Sequence, residues 1–134
     1  MSFGSIPDIE QSIVRILSES SLVIDIAGAD AVSTELPPEA NLPRVRITLS
    51  GGTPAVTGWL QAPRINIEAW ADNKEEAFDL INACAVTLTS LQDGTQVTEG
   101  VITSVRQETG LSWSPDPVTN KARYLLGFVI HIHP

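Results

Sequence analysis

With a single cysteine, Cys84, in 134 residues, the chain forms no disulfide within itself. Positive charge is also scarce: eight Lys and Arg stand against sixteen Asp and Glu, for a net charge of -8. Affinity for phosphate backbones and anionic membrane surfaces comes from clustered Lys and Arg, so both are disfavoured as nonspecific partners. No apolar run approaches the roughly 18 residues of a membrane span. The opening MSFGSIPDIEQ has neither the basic region nor the apolar run of an export signal, and a cytosolic origin is expected. Internal repeats and low-complexity tracts are missing as well.

The chain does have the means to build a core. Hydrophobic residues make up 43% and charged residues only 18%, while 9 Pro and 9 Gly suggest turns rather than disorder. A length of 134 residues fits one domain, 1–134, able to bury about two thirds of its unfolded surface without a disulfide or metal. Cys84, between Ala83 and Ala85, is expected to be a packed, reduced thiol.

The most informative stretch is 63–94. Ile65, Ile67 and Ala69 alternate with Arg64, Asn66, Glu68 and Trp70, the pattern of a half-buried strand. Asp72 lies three residues before Glu75, the spacing of a capping box, and predicts a helix start. Phe78, Ile81, Ala85 and Leu88, with Cys84 and Leu91 alongside, give that helix an apolar face, and Asp93-Gly94 gives it a stop.

Upstream, Ser5–Glu19 reads as a helix with Ser5 as cap, Pro7 in the first turn and a stripe of Ile6, Ile9, Ile13, Ile16 and Leu17. Leu22–Ile26 is short and rich in β-branched residues, which favours a strand. Residues 28–41 read as a long loop, either a solvated surface segment or a binding element. Pro43–Leu49 is a strand with Val45, Ile47 and Leu49 on one face and Arg44, Arg46 and Thr48 on the other. Ser50–Ala62 reads as a second long connection, with turn signals at Gly51-Gly52 and Thr57-Gly58. Its Trp59 and Leu60 either fold back onto the body or serve a subunit interface.

Downstream, Glu99–Gln107 is a strand, followed by a connection through Gly110, Trp113 and Ser114–Pro117. In the closing strand, Lys121–His133, residues Ala122, Tyr124, Leu126, Phe128, Ile130 and Ile132 share one parity. The other parity is partly apolar, so this strand is expected to be central or covered on both sides. The fold class is therefore α+β, a mainly antiparallel sheet with two helices on one face. The opposite face would carry Arg44, Arg46, Arg64, Asn66, Glu68 and Trp70.

Catalytic constellations are not apparent. His131 and His133 point to one side of a strand, but no third ligand is marked by spacing. No Gly-x-Ser-x-Gly elbow occurs, and Ser50-Gly51-Gly52-Thr53-Pro54 fits neither a P-loop nor a dinucleotide turn. The acidic pair Glu75-Glu76 is explained by the helix dipole. Arg44, Arg46, Arg64, Arg106 and Arg123 all fall on strands and are expected to pair with Glu68, Glu108 or Asp116, or with a neighbouring subunit. The chain is read as a non-enzyme with no cofactor and no metal, and a small-molecule-binding or enzymatic α+β domain is the reading from a different class.

Taken together, PRVRI, PRINIEAWADNKEEAFDLINACAVTL, GVITSVRQETG and YLLGFVIHIH resemble the tail terminator, or tail completion, proteins of long-tailed bacteriophages. The best-matching part is the strand ending Glu68-Ala69-Trp70-Ala71, then Asn73, Glu76 and Ala77 opening the helix. The resemblance implies a homo-oligomeric ring, typically a hexamer, in the neck of a virion tail assembled in the host cytoplasm. Such a ring ends tube polymerisation, binds the tail tube protein and joins the head-tail connector, while DNA passes without specific binding and no membrane is involved. Another neck or minor tail component, such as a head-closure or connector-adaptor protein, is the alternative within the same class. On this reading Arg44, Arg46, Trp59, Arg64, Asn66, Glu68 and Trp70 are subunit-interface candidates, and Asp30, Glu35 and Glu39 are candidates for an acidic channel wall. Charge reversal at Arg64 or Glu68 is then expected to disturb ring formation more than folding, as judged by comparing particle mass with retention of the fold.

Overall fold

The computed structural model describes residues 9–35, 41–54, 61–91, 95–97 and 100–133. These form helices α1 (Ile9–Ser18), α2 (Ser21–Ala27) and α3 (Lys74–Thr89) and strands β1 (Val32–Ser33), β2 (Arg44–Pro54), β3 (Gln61–Ala71), β4 (Thr95–Val97), β5 (Gly100–Trp113) and β6 (Ala122–His133). The strands make one sheet in the order β1-β2-β3-β6-β5-β4, antiparallel throughout except for the parallel pair β1/β2. This is the expected α+β class, with β6 central between β3 and β5.

The core lies between the helices and one sheet face. Ile9, Ile13 and Leu17 recur every four residues on α1, which packs on β2, and share one buried core with Val45 and Ile47 of β2, Ile65 and Ile67 of β3, and Phe128, Ile130 and Ile132 of β6. The alternating patterns of β3 and β6 are therefore real inward faces. Each fully buried Ile, Leu or Phe stabilises by about 1.5–3 kcal/mol relative to exposure. Ser5, Ile6 and Pro7, assigned to the first helix from sequence, lie outside the described residues.

Residues 22–26 are helical, not a strand. Ile24 N–H donates to Ser20 O and Gly28 N–H to Ile24 O, both at 2.9 Å, and Gly28 stops the helix at φ 89°. Intrinsic β-propensity is small beside packing. Here α2 lies against α3, Val23 is fully buried, and the Ser20 and Thr87 hydroxyls are 2.8 Å apart. The described residues therefore hold three helices where two were expected.

Three connections read from sequence are partly strand. Val32–Ser33 within 28–41 forms β1, fixed by the Val45 N–H bond to Ala31 O at 2.8 Å. Residues 50–54 and 61–62 extend the β2/β3 hairpin, with Gly52 facing Pro63 and Pro54 facing Gln61 across a bulge after Leu49. Gly51-Gly52 thus marks the bulge rather than a turn. Thr57-Gly58, Trp59 and Leu60 lie outside the described residues. Finally, β5 continues through Gly110 to Trp113, its register shifting after Ile102, Gln107 and Thr109. The true turn, 114–121, is built on Asp116, whose carboxylate accepts the Thr119 hydroxyl and the Val118 and Thr119 N–H groups. The Thr119 hydroxyl is the main cause of an Asp116 carboxyl held below its ordinary value.

The cap of α3 is displaced by one residue. Asn73, not Asp72, is the N-cap, its Oδ1 accepting Glu76 N–H at 2.8 Å, while Asp72 pairs with Lys121 at 3.2 Å. Two adjacent residues can each cap, and here Asn73 takes that place while Asp72 faces Lys121. With that start, Ala77, Leu80, Ile81, Ala83, Cys84 and Leu88 face inward. Phe78 is displaced to 39% exposure, correcting the expected stripe. Asp93-Gly94 lies outside the described residues. Asn73→Ala is expected to lower stability by about 1 kcal/mol in urea unfolding. Asp72→Ala should cost less than about 0.5 kcal/mol, since it removes only an exposed ion pair.

Candidate interaction surface: the open face of the sheet

Helices cover one side of the sheet, so the alternate residues of β2, β3, β6 and β5 form a second, open side. Strand register sets its rows. Arg44, Trp70 and Arg123 lie across β2, β3 and β6; Arg46, Glu68 and Leu125 form the next row, and Thr48, Asn66 and Gly127 the one after. Ser112 and Thr109 extend the last two rows onto β5, opposite Leu125 and Gly127. Gly127 is required by close approach: a Cβ there would lie 1.9 Å from Thr109 Oγ1.

Glu68 is the anchor of this face, only 8% exposed. Arg46 Nε donates to its Oε2 from one side, and Arg123 Nη1 reaches Oε1 at 3.4 Å from the other. Arg123 also donates to Ser114 O at 2.7 Å and Ser114 Oγ at 3.1 Å, and its guanidinium carbon is 5.0 Å from the centre of the Trp70 ring. One carboxylate thereby ties β2, β3, β6 and the turn after β5 together. Farther along, Arg64 grips Glu108 bidentately at 2.7 and 3.1 Å. The pairing of strand arginines with Glu68 and Glu108 was legible from charge and parity.

The face is not fully self-satisfied. Trp70 Nε1 and Arg44 Nε are buried without an acceptor among the described residues, although Arg44 Nη2 donates to Ser33 Oγ at 3.3 Å. Between Arg46, Asn66, Glu68, Thr109, Ser112 and Leu125 runs an open trough of ≈ 460 Å³. The structure thus gathers Arg44, Arg46, Arg64, Asn66, Glu68 and Trp70 on one face, with Glu68 and Trp70 leaving little surface for an outside contact. Asp30 and Glu35 are exposed at the far, β1 edge of the sheet, whereas Trp59 and Glu39 lie outside the described residues. Arg123 is absent from the sequence-based set, although its parity opposite Ala122 and Tyr124 marks it for this face.

His131 Nδ1 lies 2.8 Å from Ser104 Oγ, and no group of three or more His, Cys, Asp or Glu suited to a metal occurs among the described residues. Cys84 is buried, and desolvation pushes its thiol up to about 12, leaving it protonated and unreactive near neutrality. No helix among the described residues is long and apolar enough to cross a membrane.

No known protein family matches the chain, and no curated protein matches it in sequence. Among solved structures, a chain from the virion of a native gene transfer agent particle is similar, with a TM-score of 0.72 and 13% identity, over 94% of this chain and 95% of that one. At that identity the likeness shows a shared fold.

Glu68→Gln should destabilise the protein by about 2–3 kcal/mol in urea unfolding, because two arginines lose their shared counter-charge at a buried site. Arg64→Ala, at a largely exposed pair, should cost less than about 1 kcal/mol. The burial of Glu68 therefore revises the expectation for its charge reversal, which should damage the fold itself, while reversal at Arg64 is the cleaner probe of assembly.

Proposed function

We propose that the protein is a structural component of a phage-like virion, acting as a tail terminator. It forms a ring on the last layer of the tail tube, stops tube growth and offers the surface to which the head is joined. The observation that carries this reading is the shared fold with a virion chain over nearly the full length of both proteins. The resemblance of the strand-helix unit around Glu68–Ala77 to tail terminators points the same way. The open sheet face supports it physically: a rigid, charged platform with unsatisfied donors suits repeated protein contacts.

In this reading the open-face residues Arg44, Arg46, Arg64 and Asn66 serve contacts between neighbouring subunits, likewise Trp59, and the ring, a hexamer, contacts tail tube and connector proteins. Exposed acid such as Asp30 and Glu35, with Glu39, lines the passage, where DNA slides without displacing counterions. Assembly takes place in the host cytoplasm, and the protein ends in the neck of the tail.

Electron micrographs of particles produced without this protein test the proposal. Overlong tails detached from heads are expected. Tails of normal length on complete particles would overturn it, and full-length tails beside unsealed heads would assign the protein to head closure instead.

A further inference from the structure

Charge is divided between the two sides of this molecule. The open face concentrates Arg44, Arg46, Arg64, Arg106 and Arg123 against Glu68 and Glu108, in a chain whose net charge is -8. Within α1, α2 and α3, Glu10, Asp25, Glu75, Glu76 and Asp79 outnumber Arg15 and Lys74, the Lys74 Nζ lying 4.8 Å from the centre of the Trp113 ring. Along α3, Glu75, Phe78, Asp79, Asn82 and Val86 recur at three- and four-residue spacing, so they form one stripe on the side away from the core. Its apolar members are exposed, Phe78 by 39% and Val86 by 46%, beside Trp113 at 41% on β5. Glu19 and Asp25, exposed at the ends of α1 and α2, add to the negative side.

Resting on the reading of the protein as an assembling virion component, we propose that the Glu75–Asp79 flank of α3, bordered by Phe78, in one copy docks head to tail onto the arginine-bearing open face of the next, over the trough. The two surfaces are complementary in kind. The stripe offers carboxylates beside Phe78 and Val86, and the open face offers Arg46 in the trough, which Leu125 also lines, with Arg44 and Arg106 on the same face. A guanidinium has five N–H donors, and Arg44 Nε is buried without an acceptor among the described residues. Nucleic acid is the poorer occupant: Arg46, Arg64 and Arg123 already face carboxylates, and the acidic remainder of the chain repels phosphate. Because the two patches lie on different faces, the contact is heterologous, and its repetition extends beyond a pair, closing into a ring where the rotation between copies allows.

Two double variants test the contact. Arg44→Glu with Arg106→Glu, the trough variant, reverses charges that flank the trough on the open face, and Glu75→Lys with Asp79→Lys reverses the helix side. Sedimentation velocity over a concentration series should show each variant alone needing about ten-fold or more higher concentration than the unaltered protein to assemble. An equimolar mixture should recover assembly, because every head-to-tail contact in an alternating array then joins opposite charges. Recovery also requires folded chains. Arg106→Glu alone, at an exposed position, repeats the test if the trough variant melts early. Assembly of either variant at the unaltered protein's concentration overturns the proposal, and so does a mixture that remains dissociated. An unaltered protein that stays monomeric at every concentration overturns it too, while the tail terminator reading stands or falls separately on the micrographs. DNA binding lost in the trough variant, with self-assembly unchanged, would reassign the face to nucleic acid.

Discussion

A strand at the centre of a sheet must satisfy two faces at once, and in this protein β3 and β6 carry that constraint. Their helix-facing residues, Ile65, Ile67 and Ala69 with Phe128, Ile130 and Ile132, lie in the core beneath α3, with α1 packed on the neighbouring β2. Among the described residues no helix or second sheet covers their other side. The structure meets the second requirement with Glu68, which draws Arg46 and Arg123 over the sheet and, through Arg123, fixes Ser114 and the Trp70 ring. A buried carboxylate is costly to desolvate, and two flanking guanidiniums offset that cost. The open face is thus ordered by ion pairs and hydrogen bonds rather than by a second hydrophobic core.

This arrangement separates charge across the fold. The inward side of each strand is apolar, so its arginines are confined to the open face. The helices, exposing their outer flanks, carry much of the acid. Glu75 and Glu76 sit where the α3 dipole favours them, and the same carboxylates make that end of the helix a negative surface. A local rule of helix stability therefore contributes to a property of the whole molecule, and it is that property, rather than a reactive group, which the functional reading uses. Cys84, the most nucleophilic residue type in the chain, is packed inside α3 as a small hydrophobe.

Legibility from sequence followed the strength of the local signal. The alternation in β3 and β6, the central place of β6, and the pairing of strand arginines with Glu68 and Glu108 were all readable, because a period of two sorts side chains unambiguously between faces. The cap of α3 was misplaced by one residue because Asp72 and Asn73 are equally suited to it. The segment 22–26 was misassigned because its β-branched residues carry a weak preference that packing against α3 outweighs, although Gly28 stood as the stop signal. Gly51-Gly52 and Gly110 were taken for breaks in structure, whereas both lie in strands whose register shifts beside them.

By itself, then, the sequence determined which residues face inward on the long strands and the α+β class. Those features depend on neighbours within a few residues, where chain geometry alone dictates which side chains share a face. Only the tertiary structure decided that Glu68 is a buried bridge between arginines from two other strands, that Arg123 belongs with them, and that a trough opens beside Gly127. Each depends on register between strands distant in the chain, which is set by packing of the whole sheet and has no local signature.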